Sequence, residues 1–242
     1  MRKGLFTTIT LIAVAACLAA CTSVGTRNTR SLNETDFGPS QPLRICVLLD
    51  QGVSEDRARE LMAGIGDELS LYGLEVSVPW IRPWVRPAFS SQGIVDDVWV
   101  RPLEAPCDRL MALVGRNFGD FLTGLLGFEI LGGVDEPTHT RSYVVARSVS
   151  LNQLFVPPSR VAVHEAYHLL GCHHGTDLTP CYRQIRELKE IAARNHEIGS
   201  DFFPGVTPRG KVLGSRLTVN QIIRDAVDNY HQTRATSFQK NY

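Results

Sequence analysis

The stretch HEAYHLLGCHH, residues 164–174, carries four of the seven histidines in the chain and one glutamate. His164 and His168 are four residues apart, which places both imidazoles on one face of a helix. Two imidazoles at that spacing can reach one zinc ion at about 2 Å. Glu165 lies about 100° further round the helix, so it stands beside the metal rather than on it.

The residues after the second histidine complete the pattern HExxHxxGxxH. Gly171 can end the helix in a left-handed conformation, so that the chain turns back and His174 approaches the metal. A catalytic zinc site keeps three protein ligands and one open position. The spacing therefore predicts one zinc ion, Zn²⁺, held by His164, His168 and His174. His173 remains an alternative third ligand, or a donor of a hydrogen bond beside the ligands.

The flanking residues predict a buried helix over about 160–170. Ser159 can accept a hydrogen bond from the first turn as the N-cap. Much of the helix surface is apolar, at Val161, Ala162, Ala166, Leu169 and Leu170. Buried histidines without a metal would need other hydrogen-bond partners, which favours metal binding over a helix of core histidines.

The region before this helix predicts a mixed sheet with packed helices. Ser54 is a candidate N-cap and Gly73 a candidate end for a helix over 54–73. The proline-containing segment 82–106 is predicted to be mainly loop. Short apolar or β-rich runs predict strands at 43–50, 74–81, 109–115 and 141–150, and 129–138 is predicted to be a strand leading into a turn. This order of elements indicates an α/β fold.

The C-terminal part predicts a small, mainly helical subdomain over 172–242, after a catalytic subdomain over 43–171. One amphipathic helix follows Cys181, and a second covers 217–234. Three histidines carry no motif and are predicted to be surface residues: His139, His196 and His231.

The first residues are typical of an exported chain. Residues 1–20 combine a positive start with a short apolar run, which predicts a signal peptide. The end of that run, LAAC, resembles the lipobox of bacterial lipoproteins and implies lipid attachment to Cys21. A plain secreted protein and an uncleaved anchor are the alternatives. Thr22 in place of aspartate favours the outer membrane over the inner one. Residues 22–42 are predicted to be a flexible tether, so we expect a lipid-anchored protein of the cell envelope, periplasmic or surface-facing.

Four cysteines remain after the predicted cleavage and lipidation. An even number in an exported chain predicts two disulfides, with three possible connectivities. We expect Cys172 to pair with Cys181, its neighbour in sequence, and Cys46 with Cys107, in the N-terminal half. Four buried free thiols are the alternative.

The segment from His164 to His174 resembles the signature of the metzincin clan of zinc metallopeptidases. Within the clan it is most similar to the archaemetzincins, which carry a cysteine several residues after the third histidine, as Cys181 does here. The resemblance implies a metzincin-like zincin fold and a peptide or protein substrate, with Glu165 activating a zinc-bound water. It also implies that strand 141–150 pairs with an extended substrate, as the edge strand of the clan does.

The sequence departs from these families at two points. Metzincins place a methionine in a turn beneath the zinc, whereas the methionines here all precede the motif, at Met1, Met62 and Met111. The corresponding turn would be 181–183, where Tyr182 could help to hold an oxyanion, as His173 could, or could pack beside the disulfide. Archaemetzincins bind a second zinc through clustered cysteines. Cys172 and Gly175 do not match that cluster, so we expect a disulfide and no second metal.

Together these features predict a zinc-dependent metallopeptidase of the cell envelope. The alternative is a zinc-stabilised, non-catalytic binding or assembly lipoprotein, which the missing methionine favours. Glu165 argues against it, because a structural zinc site needs no such carboxylate. Hydrolysis of cell-wall peptide cross-links would use the same chemistry and stays open. The chain has 25 basic and 25 acidic residues without a basic run, which argues against a nucleic-acid partner.

Overall fold

The main sheet has six strands and carries helices on both faces. The computed structural model describes residues 28–87, 91–115, 130–147 and 157–239, with side chains described as far as 229. The strands are β1 (Gln41–Asp50), β2 (Leu74–Ser77), β3 (Ile81–Trp84), β4 (Arg109–Val114), β5 (Gly132–Val134) and β6 (Arg141–Val145). Their order is β2-β1-β4-β6-β5, and β3 also pairs with β1. All pairs are parallel except β5 with β6. The predicted mixed α/β fold is confirmed.

Six helices and a short hairpin complete the described chain. The helices are α1 (Thr29–Glu34), α2 (Glu55–Ser70), α3 (Ser91–Val98), α4 (Pro158–Leu169), α5 (Thr179–Glu197) and α6 (Arg216–Gln239). The hairpin consists of β7 (Gly205–Val206) and β8 (Val212–Leu213). None of the helices in the described ranges is long and apolar enough to cross a membrane.

Alternate residues of β1 face two different cores, which is why its sequence is apolar almost throughout. Leu43, Ile45 and Val47 pack with α2, α4 and α5. Cys46 and Leu48 face the opposite layer, which α3 and α6 cover. The sheet is therefore buried on both sides, and α4 lies on one face of it.

Several predicted boundaries are confirmed. Ser54 caps α2 by accepting a hydrogen bond from the backbone of Arg57 at 3.3 Å. Gly73 follows that helix with φ of 64°, a conformation that favours glycine. Both predicted disulfides form. Cys46 pairs with Cys107, and Cys172 with Cys181.

Other boundaries were predicted wrongly. The strand expected at 74–81 is divided into β2 and β3, since Pro79 cannot donate a ladder hydrogen bond and lies between them. The segment 82–106, expected to be loop, contains most of β3 and all of α3. Its secondary structure is stabilised by the burial of Trp84, Ile94 and Val98. The strand predicted to lead into a turn over 129–138 is shortened to β5 within the described residues, whereas the turn after it is confirmed.

The described part of the predicted tether is folded, which corrects the expectation of a flexible coil. Asn28 caps α1 by accepting a hydrogen bond from the Ser31 backbone at 3.1 Å. The Ser31 hydroxyl in turn accepts one from Thr179 of α5 at 3.1 Å. Phe37 packs edge-on against Tyr72, with 5.3 Å between ring centroids. The predicted signal peptide, Cys21 and the tether up to residue 27 lie outside the described residues.

Candidate metal centre

Helix α4 begins at two consecutive prolines, more than one turn before the first histidine. Pro157 is the N-cap, in an extended conformation without a side-chain hydrogen bond, and Pro158 is the first helical residue. Proline suits this position because the N–H it lacks would have no helical partner. The prediction of Ser159 as the cap is therefore wrong.

The helix ends where the sequence predicts, at Gly171. The backbone N–H of Gly171 donates to the carbonyl of His168 at 2.9 Å, and that of Cys172 donates to Tyr167 at 3.1 Å. These two bonds form a Schellman motif. Gly171 has φ of 78°, and a Cβ atom there would lie 2.3 Å from Cγ1 of Val206. Glycine is needed at this turn because of the positive φ angle and because Val206 leaves no room for a Cβ atom. After the turn, the chain reverses its direction relative to the helix.

The turn brings His174 to the two histidines of α4. One ligand nitrogen from each of His164, His168 and His174 lies within 4.8 Å of the others. The Nε2 atoms of His164 and His168 are 3.0 Å apart. Two nitrogens bound to one tetrahedral zinc ion would be about 3.3 Å apart, so the donor set fits zinc. His173 is not part of this cluster.

The two histidines of α4 are kept in the neutral form, which is the form that can bind a metal. Burial and, to a smaller extent, the neighbouring imidazoles of His168 and His174 lower the pKa of His164 to about 4. Burial also lowers the pKa of His168 to about 4. The Nδ1 atom of His168 lies 2.6 Å from the carbonyl oxygen of Cys172. Since a carbonyl only accepts, Nδ1 donates and Nε2 keeps its lone pair for a metal.

Glu165, which follows His164 in the sequence, is buried, with 6% of its surface exposed. Its side chain packs against Gly132 of β5, where a Cβ atom would lie 2.5 Å from Oε1 of Glu165. Burial raises the pKa of Glu165 to about 8. The carboxyl group is therefore poised to exchange a proton near neutral pH, in a space that exists because residue 132 has no side chain.

This pKa predicts how the stability of the metal-free protein depends on pH. The folded value of about 8 is above the ordinary value of 4.5, so the unfolded chain loses its proton first. The contribution of Glu165 to stability is therefore complete below pH 4.5 and is lost as the pH rises towards 8. Relative to Glu165→Gln, the free energy of unfolding should fall by about 1.4 kcal/mol per pH unit in that window. Urea titrations of both metal-free proteins at pH 5, 6.5, 8 and 9 measure this difference, and a constant difference would contradict it.

Tyr182 lies in an aromatic cluster. It is fully buried, and its ring is 5.6 Å from that of Tyr72 and 6.0 Å from that of Phe37. This environment favours the packing role over direct stabilisation of an oxyanion.

His139 was missed by the sequence analysis. It is buried rather than at the surface, because it lies in the turn between β5 and β6 with φ of 50°. Its Nδ1 atom is 2.8 Å from the carbonyl oxygen of Val206, and its ring contacts the edge of His173. No motif marks this residue in the sequence. His196 is exposed as predicted, and the side chain of His231 lies outside the described part.

The strand at the open edge of the sheet is not the one expected. Strand β6, within the predicted 141–150 run, lies between β4 and β5. Within the described residues, the edge belongs to β5, which is antiparallel to β6 and is packed against Glu165. The expectation that 141–150 is the edge strand is therefore wrong for its described residues. The remainder of the predicted run, 148–150, lies outside the described residues.

Comparisons with known proteins identify a distant structural similarity. No protein-family model matches the chain, and no curated protein matches it either. Among solved structures, the chain is similar to archaemetzincin from Methanopyrus kandleri, at 16% sequence identity and a TM-score of 0.38. The similarity covers 64% of this chain and 96% of that one. The interpretation of the site therefore depends on its three histidines and on Glu165.

Proposed function

We propose that this protein is a zinc-dependent metallopeptidase. The observation that carries the proposal is the cluster of His164, His168 and His174, whose ligand nitrogens lie within 4.8 Å of one another beside the buried carboxyl group of Glu165. A structural zinc site has no use for a protonatable group at that place. A hydrolytic site needs one, because a proton must move from the attacking water to the leaving amine.

The histidines and Glu165 have different roles in the proposed reaction. His164, His168 and His174 would hold the metal, which when bound supplies Lewis-acid polarisation of the scissile carbonyl. The carboxylate of Glu165 takes a proton from the attacking water and passes it to the leaving nitrogen. The protonated side chain carries the proton between these two steps. Burial of the group keeps bulk water from intercepting the proton.

Strand β5 offers a place for an extended peptide. It is paired with β6 on one side, and within the described residues its other side faces away from the sheet. Backbone groups on such an edge bind extended chains by adding a strand. Since Gly132 of β5 contacts Glu165, a peptide bound there would pass close to the carboxyl group.

We place this activity at the cell envelope, through lipid attachment at Cys21. The two disulfides support an oxidising compartment. Because the described part of the chain is folded from residue 28, the segment 22–27 would be the spacer between lipid and domain. Six residues extend over about 20 Å at most, so the catalytic domain would work close to the membrane surface.

The experiment that tests the function compares two neighbouring histidines, both exposed. We expect the purified chain to bind one zinc ion and to cleave members of a peptide library. His174→Ala should weaken zinc binding by more than about 100-fold and abolish cleavage, because it removes a ligand. His173→Ala should leave both properties close to those of the parent. Zinc content by mass spectrometry and cleavage by chromatography provide the two readouts.

Two outcomes would contradict the proposal in different ways, and a third would change its ligand set. Zinc binding without cleavage of peptides or of cell-wall cross-links would support the alternative, a zinc-stabilised binding or assembly lipoprotein. Absence of zinc from the parent would mean that the three histidines do not form a metal site. A loss of zinc in His173→Ala but not in His174→Ala would mean that His173, and not His174, is the third ligand.

A further inference from the structure

We propose that the Cys172–Cys181 disulfide positions two of the three metal ligands and thereby sets the affinity of the site for zinc. The inference rests on the metal site of the proposed function. The covalent cross-link, and not hydrogen bonds alone, holds His168 and His174 in the geometry that binds the ion.

Cys172 acts on His168 through its backbone. Its carbonyl oxygen accepts the hydrogen bond from Nδ1 of His168 at 2.6 Å, which fixes the ring orientation and directs Nε2 towards His164. Its N–H is bonded to the carbonyl of Tyr167. Cys172 is thus the residue at which the helix end and the ligand His168 are joined.

The side chain of Cys172 acts on His174. The disulfide closes the segment 172–181, and the two Cα atoms that it joins are 4.9 Å apart. Both cysteines are buried, at 1% and 5% exposure, and so is Leu178. Residues 173–177 are exposed, so the loop that carries His174 gains little from side-chain burial. The cross-link is attached two residues before His174 and limits the conformational freedom of this loop. The loop therefore loses less conformational entropy when a metal binds.

The second disulfide provides an internal control. Cys46–Cys107 spans 61 residues, whereas Cys172–Cys181 spans nine. In the chain-entropy model the longer loop contributes more to global stability. Cys46 and Cys107 lie in the core on the other face of the sheet. Removal of Cys46–Cys107 should therefore lower the free energy of unfolding more. Removal of Cys172–Cys181 should lower the zinc affinity more.

The test compares two double variants of the purified chain, Cys172→Ala/Cys181→Ala and Cys46→Ala/Cys107→Ala. Alanine at 172 keeps the backbone carbonyl that His168 uses, so only the cross-link is lost. We expect zinc affinity, measured by competition with a chromogenic chelator, to fall 10- to 100-fold in the first variant. It should stay within about twofold in the second. The urea midpoint of the metal-free proteins should fall further in the second.

The absorption spectrum of bound cobalt reports ligand geometry independently of affinity and should change only in the first variant. Equal zinc affinity in the two variants, or a larger loss in the second, would overturn the inference while leaving the metal site intact. Failure of the parent itself to bind metal would overturn the site and the inference together. If the alanine pair does not fold, Cys172→Ala/Cys181→Val retains more of the buried volume and is measured in its place.

Discussion

Peptide hydrolysis by Glu165→Gln should be slower than that of the parent by about a thousandfold or more in kcat, with one zinc ion still bound. Glutamine has nearly the shape of glutamate, so it fits the space beside Gly132 of β5. It cannot take a proton from water, and it removes no ligand, since the ligand nitrogens belong to the three histidines. This variant should therefore lose catalysis while it keeps metal binding.

The measurement combines kcat and KM on a cleaved library peptide with zinc content and the urea midpoint. Glu190→Gln is the matched control, because that carboxylate is exposed on α5, where it pairs with Arg186. Retention of activity in Glu165→Gln would mean that Glu165 is not the proton carrier. Loss of zinc together with activity would mean that the carboxylate holds the metal or its ligands. The KM value should change little, because a proton carrier contributes to the transition state rather than to substrate binding.

The cluster of three histidines could be predicted from the sequence because its geometry is local. The separation of His164 and His168 by one helical turn is fixed by backbone hydrogen bonding, and Gly171 is needed because of its left-handed conformation. Glu165 follows from the same helix. These relations span eleven residues and depend on no other part of the chain. The disulfide between Cys172 and Cys181 was predictable for the same reason.

The surroundings of the site could not be predicted, because they come from distant segments brought together by the sheet. Gly132 contacts Glu165 only because β5 lies at the edge next to β6, and strand order cannot be read from apolar periodicity. His139 reaches His173 through a turn whose φ angle is unusual for histidine. The two-residue strands β7 and β8 are too short to give a pattern, although Val206 of β7 packs against Gly171.

The turn that carries His139 is held by one buried carboxylate, that of Asp135, and Asp135→Ala should be among the most destabilising substitutions. Asp135 is fully buried. Its Oδ1 atom accepts hydrogen bonds from the backbone of Thr140 at 2.6 Å and of Arg141 at 2.5 Å. Its Oδ2 atom accepts the backbone N–H and the hydroxyl of Thr138. Alanine would leave three buried N–H groups without these acceptors.

An unsatisfied buried donor costs about 1–3 kcal/mol, so the free energy of unfolding should fall by about 3–6 kcal/mol, a large part of the stability of an ordinary domain. Urea denaturation of the metal-free protein measures the change. Asp177→Ala is the control, because Asp177 accepts the same pair of bonds from the backbone and hydroxyl of Thr179. Asp177 is exposed, however, so water can replace it and little change is expected. Equal losses in the two variants would show that burial of the Asp135 network is not what stabilises this turn.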